Sequence, residues 1–95
     1  MFAALPVDIT KISKENRDKQ ILRIAIQAEL DAINLYEQMA HSADNKIVRD
    51  VLFDIAREEK THVGEFQTML LRRDKGQERE LRAGEAEVKE MLGNA

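Results

Sequence analysis

Residues 21–33 read ILRIAIQAELDAI, and nine of these thirteen residues are apolar. On an α-helix they would cover most of the circumference, whereas one neighbouring helix buries a stripe of only roughly 100°. Such a helix must meet more than one partner. Because the chain has only 95 residues, too few to build a large core of its own, we expect other copies of the chain to supply the remaining partners. The sequence therefore predicts a helical homo-oligomer.

Two long helices are predicted on either side of a short polar break. Apolar residues recur every three or four positions from about residue 16 to residue 41, and again from about 45 to 73, which is typical of amphipathic helices. The intervening sequence HSADN at 41–45 is rich in turn and cap formers. A break this short predicts an antiparallel hairpin, and the whole chain, 1–95, is interpreted as a single all-α domain.

The ends of the hairpin carry their own signals. Residues 1–15 are predicted to form an irregular lead-in, with Ser13 or Asn16 as the N-cap of the first helix. Gly76 is predicted to end the second helix as its C-cap. Residues 77–95 are highly charged and are expected to form a shorter, looser helix around Glu85–Leu92.

Composition excludes several classes of function. The formal net charge is −3 with acidic and basic residues interleaved, which argues against a nucleic-acid or anionic membrane partner. The absence of cysteine excludes disulfides and thiolate metal sites. No apolar run approaches the roughly 18 residues of a membrane helix, and the N-terminal MFAALPV lacks the basic segment of a signal peptide. We expect an intracellular protein.

Three ionisable residues occupy apolar helix faces. The residues three, four and seven positions from Glu29 are Leu22, Ala25, Ile26, Ala32, Ile33 and Tyr36. Those around Glu59 are Leu52, Ile55, Ala56, His62, Val63 and Phe66. Burial of an unpaired carboxylate costs several kcal/mol or forces its protonation. A bound cation is therefore the simplest explanation for Glu29, Glu59 and His62.

The register of the hairpin brings these residues to one level. If the turn centres on Asp44, Glu29 and Glu59 lie at the same height, and His62 follows one helical turn later. A ferritin-like di-iron site takes a Glu from each of two helices and a Glu-x-x-His from each of two others. One chain supplies one helix of each kind, so two hairpins across a two-fold axis would complete a four-helix bundle. Carboxylates with a few imidazoles suit iron or manganese.

The stretches AELDAINLYEQMA (28–40) and REEKTHVGEF (57–66) resemble the encapsulated ferritin family, and the likeness covers most of residues 20–73. The resemblance implies a hairpin subunit with a short C-terminal helix. It also implies a ferroxidase centre with two iron ions at each dimer interface, and dimers closed into a ring that is typically a decamer. Such a ring oxidises Fe(II) inside a separate encapsulin shell, where the mineral accumulates, so the implied location is a cytoplasmic nanocompartment.

Individual positions can be carried over from the resemblance. The positions that match the family's iron ligands are Glu29, Glu59 and His62. Tyr36 would lie beside the site. The register of the hairpin, not the resemblance, predicts that its ring packs near Leu52 with its hydroxyl free to approach the partner's half. Asp31 is a candidate for a metal entry site, although Ala28 stands where many members carry a further acidic residue.

Cargo members of the family usually end in a short apolar targeting peptide, whereas this chain ends in EMLGNA. We therefore expect targeting either through fusion to the shell protein or through a segment outside this chain.

Alternative interpretations remain open on the sequence. The metal could serve only to hold a helical oligomer together, or the same ligands could serve a rubrerythrin-like di-iron peroxidase or oxidase. A Glu-x-x-His pair on its own also arises often on solvated helix faces. The polar side of the first helix, with Asp31, Asn34 and Gln38, is expected to be solvated or interfacial, and His41 is expected to be a C-terminal cap or simply exposed.

Overall fold

Three α-helices account for most of residues 8–93, which are the residues described by the computed structural model. They are α1 (Lys14–Ser42), α2 (Lys46–Arg73) and α3 (Lys75–Met91), preceded by a short 3₁₀-helix at Ile9–Lys11. No strand occurs within the described residues, and none of their helices is long and apolar enough to cross a membrane. The predicted all-α hairpin with a short C-terminal helix is confirmed.

The turn between α1 and α2 lies inside the predicted break. Ala43 ends α1 by donating its backbone N–H to the carbonyl of Ala40 at 3.3 Å. Asn45 begins α2, because its side-chain oxygen accepts the N–H of Val48 at 3.0 Å. At the other end, Ser13 is the N-cap of α1 but makes no side-chain capping bond. These caps leave a connection of three residues, which forces the two long helices to run antiparallel.

Side-chain contacts across the hairpin hold the two helices together near the turn. His41 was expected to act as a cap or to be exposed. It is exposed, but its ring also lies edge-to-face against Phe53, with centroids 5.1 Å apart and planes at 83°. This geometry is favourable between aromatic rings. Nearby, Lys60 and Glu37 form an ion pair of 3.2 Å between α2 and α1.

The core of a single chain is small. Its buried side chains are Leu22, Ala32, Ile33, Ala40, Ala56 and Leu70. Many large apolar side chains stay exposed on the two long helices, namely Ile21, Leu30, Leu35, Met39, Ile47, Val48, Val51 and Met69. No polar side chain is buried among the described residues. This unburied apolar surface supports the inference from residues 21–33 that the chain assembles with other copies.

The junction between α2 and α3 differs from the sequence prediction. Gly76 does not end α2; it lies in the first turn of α3, which is also longer than predicted. Asp74 instead serves both helices: its backbone N–H donates to the Leu70 carbonyl at 2.9 Å, and its carboxylate accepts the Gln77 N–H at 3.0 Å. An aspartate N-cap satisfies a free N–H and favours the positive end of the helix, so it restarts the helix immediately. The glycine at the end of α3 is Gly93, whose φ of 73° is typical of a C-terminal cap.

Candidate metal centre

Glu29, Glu59 and His62 converge at the middle of the hairpin. One potential ligand atom from each lies within 4.8 Å of the others. The Nδ1 atom of His62 lies 3.3 Å from Oε2 of Glu29 and 3.5 Å from Oε2 of Glu59. One imidazole nitrogen therefore faces both carboxylates.

Helix geometry explains this convergence. Glu59 and His62 are three residues apart on α2, so their side chains share one face. Glu29 meets them from α1 because the two helices are antiparallel. Ala32 and Ala56 are among the most buried residues of the chain, and such small side chains allow two helices to approach closely. The apolar faces of the two helices thus place three polar groups where they can bind one metal ion.

The site is only partly enclosed by its own chain. The side chains of Glu29 and Glu59 are 19% and 18% exposed, whereas that of His62 is 43% exposed. The carboxylates are therefore largely withdrawn from water while the imidazole lies at the surface. A site of this shape can be covered from one side by a second molecule.

The charge of the site favours a cation. Within residues 8–93, neither Glu29 nor Glu59 forms an ion pair with a lysine or arginine; His62 is their shared partner. Two carboxylates held together with a single imidazole concentrate negative charge in a partly desolvated place. Hard oxygen donors with one imidazole nitrogen form a donor set that fits Fe(II) or Mn(II).

Other residues near the centre stay outside it. Tyr36 is half-buried on α1, two turns from Glu29, and its predicted contact with Leu52 remains a prediction. Asp31 does not join the cluster, because two positions along a helix rotate a side chain to another face. Glu58 is exposed. The described residues contain no second cluster of three or more acidic or histidine side chains that could hold a metal, so the sequence reasoning missed no such group there.

Comparisons with known proteins show which family the chain belongs to. The family model described as Rubrerythrin matches residues 20–93. A ferritin-like-encapsulin shell fusion protein from Pyrococcus furiosus is 56% identical over 82% of this chain and 25% of its own length. The encapsulin nanocompartment cargo protein EncC of Myxococcus xanthus is 38% identical over 56% of this chain and 41% of its own length.

A solved structure is similar over almost the whole chain. The crystal structure of the encapsulated ferritin domain from Pyrococcus furiosus matches with a TM-score of 0.84 and 49% identity, over 95% of this chain and 97% of that one. By contrast, the chain spans only a quarter of the fusion protein and less than half of the cargo protein.

Proposed function

We propose that this chain, which belongs to the rubrerythrin family and matches an encapsulated ferritin domain in structure, is a ferroxidase that oxidises Fe(II) to Fe(III) at a di-iron centre shared by two subunits. The observation that supports this most strongly is the convergence of Glu29, Glu59 and His62 within 4.8 Å. Family membership predicts iron chemistry in general. We propose that this chemistry takes place at the cluster.

The donor set of one chain argues for a shared centre. Three donors from one hairpin are half of the four carboxylates and two imidazoles that a ferritin-like di-iron site takes from its four helices. A second hairpin, related by a two-fold axis, would supply the same three. The exposed edge of His62 and the apolar surface left uncovered on α1 and α2 are where such a partner would pack.

Each residue has a distinct task in this proposal. The carboxylates of Glu29 and Glu59 would hold the two substrate ions at the roughly 3.5–4 Å separation typical of two-metal sites. Their hard, anionic oxygens favour the Fe(III) product over Fe(II) and so favour oxidation. Nδ1 of His62, which already faces both carboxylates, would complete the binding of one ion. The hydroxyl of the half-buried Tyr36 would hydrogen-bond a ligand carboxylate or supply an electron.

The proposed reaction balances with dioxygen as oxidant. Four Fe(II) ions each lose one electron, and one dioxygen molecule takes up these electrons with four protons to give two water molecules. Peroxide could replace dioxygen as the electron acceptor. The iron is the substrate, and the protein supplies binding, orientation and partial exclusion of water.

The partners follow from the relatives. One relative is named as a fusion to an encapsulin shell, and two are named as encapsulin nanocompartment cargo proteins. We propose that this chain likewise acts inside an encapsulin nanocompartment in the cytoplasm, where the shell collects the mineral. We also propose that its dimers close into a ring, with a decamer as the expected size.

A rubrerythrin-like peroxidase is the second candidate, because the matching family model is Rubrerythrin. It would use the same three residues and reduce peroxide without forming mineral. The two functions differ in their products. Mineral formation during turnover supports the ferroxidase, and sustained peroxide reduction without mineral supports the peroxidase.

The direct test is oxygen consumption after anaerobic loading with Fe(II). The wild-type chain is expected to consume about one dioxygen for every four Fe(II) ions if water is the product, and to form Fe(III) far faster than buffer alone. The Glu59→Ala variant should lose this activity, whereas Glu58→Ala, altered one position away on the exposed side, should keep it. Equal activity in both variants would refute the proposal.

A further inference from the structure

Helices α2 and α3 are separated by a single residue, Asp74. α2 ends at Arg73 and α3 begins at Lys75, whereas Asp74 has φ −128° and ψ 85°. These angles lie outside the helical region, so the chain changes direction at this residue. The sequence RRDKGQERE at 72–80 contains no proline, which is the residue that most strongly prevents a continuous helix. The direction of α3 must therefore be fixed by contacts and not by a stiff backbone.

The two oxygen atoms of the Asp74 carboxylate make two different contacts. Oδ1 accepts the Gln77 N–H at 3.0 Å, and Oδ2 accepts a hydrogen bond from the Arg23 guanidinium at 2.6 Å. The first contact begins α3 but does not orient it, because a helix N-cap joins only neighbouring residues. The second contact connects the junction to α1, 51 positions away in the chain. Arg23 is therefore the residue that can orient α3 relative to the hairpin.

The surroundings of the ion pair favour this role. The side chain of Asp74 is 15% exposed and that of Arg23 is 47% exposed. A carboxylate that is largely withdrawn from water needs a compensating charge, and a charge-assisted hydrogen bond of this length is among the stronger ones. The Gln77 N–H and, less strongly, Arg23 and Lys19 lower the pKa of Asp74 below its ordinary value. The half-exposed Arg23 guanidinium, by contrast, can return to water when the contact breaks.

No other polar side-chain contact fixes α3 in the part of the chain that the structure describes. None of its residues is buried. Its own ion pairs all lie within the helix, and they are Lys75–Glu78, Arg82–Glu78 and Lys89–Glu85. Within residues 8–93, Arg23–Asp74 is the only ion pair or side-chain hydrogen bond that joins α3 or its N-cap to α1 or α2.

The length of α3 amplifies any rotation at this junction. The helix has 17 residues and is therefore about 25 Å long. A rotation of about 20° at Asp74 would move its far end by about 9 Å. A single contact at one end thus determines where the whole helix lies.

We propose that α3 is a rigid arm hinged at Asp74, and that the Arg23–Asp74 ion pair fixes its angle to the hairpin. When the pair is intact, α3 has one direction. When the pair is broken, α3 remains capped at Gln77 but turns about Asp74 to other directions, up to alignment with α2. The inference does not depend on the proposed ferroxidase function.

A distance between α2 and α3 reports the angle of the hinge. The chain has no cysteine, so Glu58→Cys and Glu90→Cys, both at exposed positions, can be spin-labelled selectively. The two positions would be about 48 Å apart along a continuous helix, and closer at any other angle. Double electron–electron resonance measures the distribution of this distance. Labelled chains are diluted with excess unlabelled chains so that each distance comes from one molecule, and a chelator removes paramagnetic iron.

Four further variants are compared in this labelled background. Arg23→Ala removes the ion pair and leaves the cap. Asp74→Asn is an independent variant, because the asparagine oxygen can still accept the Gln77 N–H while its NH2 group faces Arg23. Arg23→Lys retains the positive charge. Arg82→Ala is the matched control, since it removes an arginine of α3 whose ion pair with Glu78 lies within that helix.

The wild type, Arg23→Lys and Arg82→Ala should each give one narrow distance, shorter than about 48 Å. In Arg23→Ala and Asp74→Asn, the population outside the wild-type peak should rise roughly 10-fold or more, as expected when a charge-assisted hydrogen bond is lost. Part of that population should approach the separation of the continuous helix. Circular dichroism should show an unchanged helix content, because α3 turns without unfolding.

Several results would overturn the proposal. A broad distribution in the wild type would show that the ion pair does not fix α3. A narrow wild-type peak in Arg23→Ala or Asp74→Asn would show that other contacts set the angle, and equal broadening in Arg82→Ala would show that the effect is not specific to the junction. A loss of helix content in Arg23→Ala and Asp74→Asn would show that α3 unfolds instead of turning.

Discussion

The Nδ1 atom of His62 on α2 lies 3.3 Å from Oε2 of Glu29 on α1, although the two residues are 33 positions apart in the chain. The contact is made through the nitrogen that also faces Glu59 at 3.5 Å. The hairpin thus builds one binding position from both of its helices. A metal bound there would link α1 to α2.

The first prediction concerns the three cluster residues. Glu29→Ala, Glu59→Ala and His62→Ala should each lower the rate of Fe(II) oxidation at least about 10-fold, because changes even in groups that only support ligands typically cost 10–100-fold. In the proposed dimer, each substitution also removes two ligands. Stopped-flow absorbance of Fe(III) formation measures the rate.

These substitutions need not destabilise the fold, because the removal of a partly buried charge also removes its desolvation cost. Thermal unfolding should therefore change little in metal-free protein. Glu58→Ala is the control, one position away on the exposed side of α2. If Glu58→Ala and Glu59→Ala lowered the rate of Fe(II) oxidation equally, the iron ligands would have been assigned to the wrong face of α2.

The second prediction couples metal to assembly. If each chain holds half of a di-iron site, Fe(II) should stabilise even-numbered species by mass action. Sedimentation velocity with and without Fe(II) measures this effect, and Glu29→Ala should abolish the response to iron. A monomer that binds two iron ions on its own would contradict the shared site.

The third prediction separates the packing of Tyr36 from its hydroxyl. Tyr36 is seven residues from Glu29, about 10.5 Å along the helix, which is too far for it to bind the same ion within one chain. Tyr36→Phe keeps the ring and should leave assembly and metal binding intact. The oxidation rate should fall about several-fold, as expected if the hydroxyl hydrogen-bonds a ligand carboxylate or supplies an electron. An unchanged rate with Phe, together with dissociation of the Ala variant, would assign Tyr36 to packing.

The fourth prediction concerns the junction that orients α3. The Gln77 N–H and, less strongly, the Arg23 guanidinium lower the pKa of Asp74 below its ordinary value of 3.8. Because the folded state lowers this pKa, the stabilisation is present above about pH 4 and is lost as the pH falls through the folded value. The amide resonance of Gln77, followed by NMR during acid titration, should report this loss.

Asp74→Asn should remove the titration of that resonance, because asparagine can cap the helix but carries no charge. Asp44→Asn, in the exposed turn, is the control and should leave the resonance unchanged. A Gln77 amide that titrates identically in Asp74→Asn would show that another group is responsible.

The sequence was sufficient to predict the hairpin because the patterns that determine a hairpin are local in the chain. The apolar periodicity on both sides of the HSADN break determines two amphipathic helices, and the short break determines their direction. The same reasoning brought Glu29 and Glu59 to one level, since register in an antiparallel pair follows from the position of the turn. The structure places these carboxylates and His62 together. That they bind iron remains a prediction.

Other features could not be predicted from local patterns. Asp-Lys-Gly at 74–76 is typical of a helix end, but an aspartate is equally a helix start, and the Arg23 contact that favours the restart comes from 51 positions away. The packing of His41 on Phe53 also depends on the crossing of two helices. Long-range contacts decide both cases, and periodicity contains no information about them.

The most direct test of the shared di-iron centre is a crystal structure of the chain soaked with Fe(II), with anomalous diffraction recorded on both sides of the iron absorption edge. We predict two anomalous peaks about 3.5–4 Å apart across a two-fold axis between two chains. Both chains should contribute their Glu29, Glu59 and His62 side chains to the pair of ions. Iron bound elsewhere, or a complete two-iron site within one hairpin, would contradict the proposal of a shared di-iron centre.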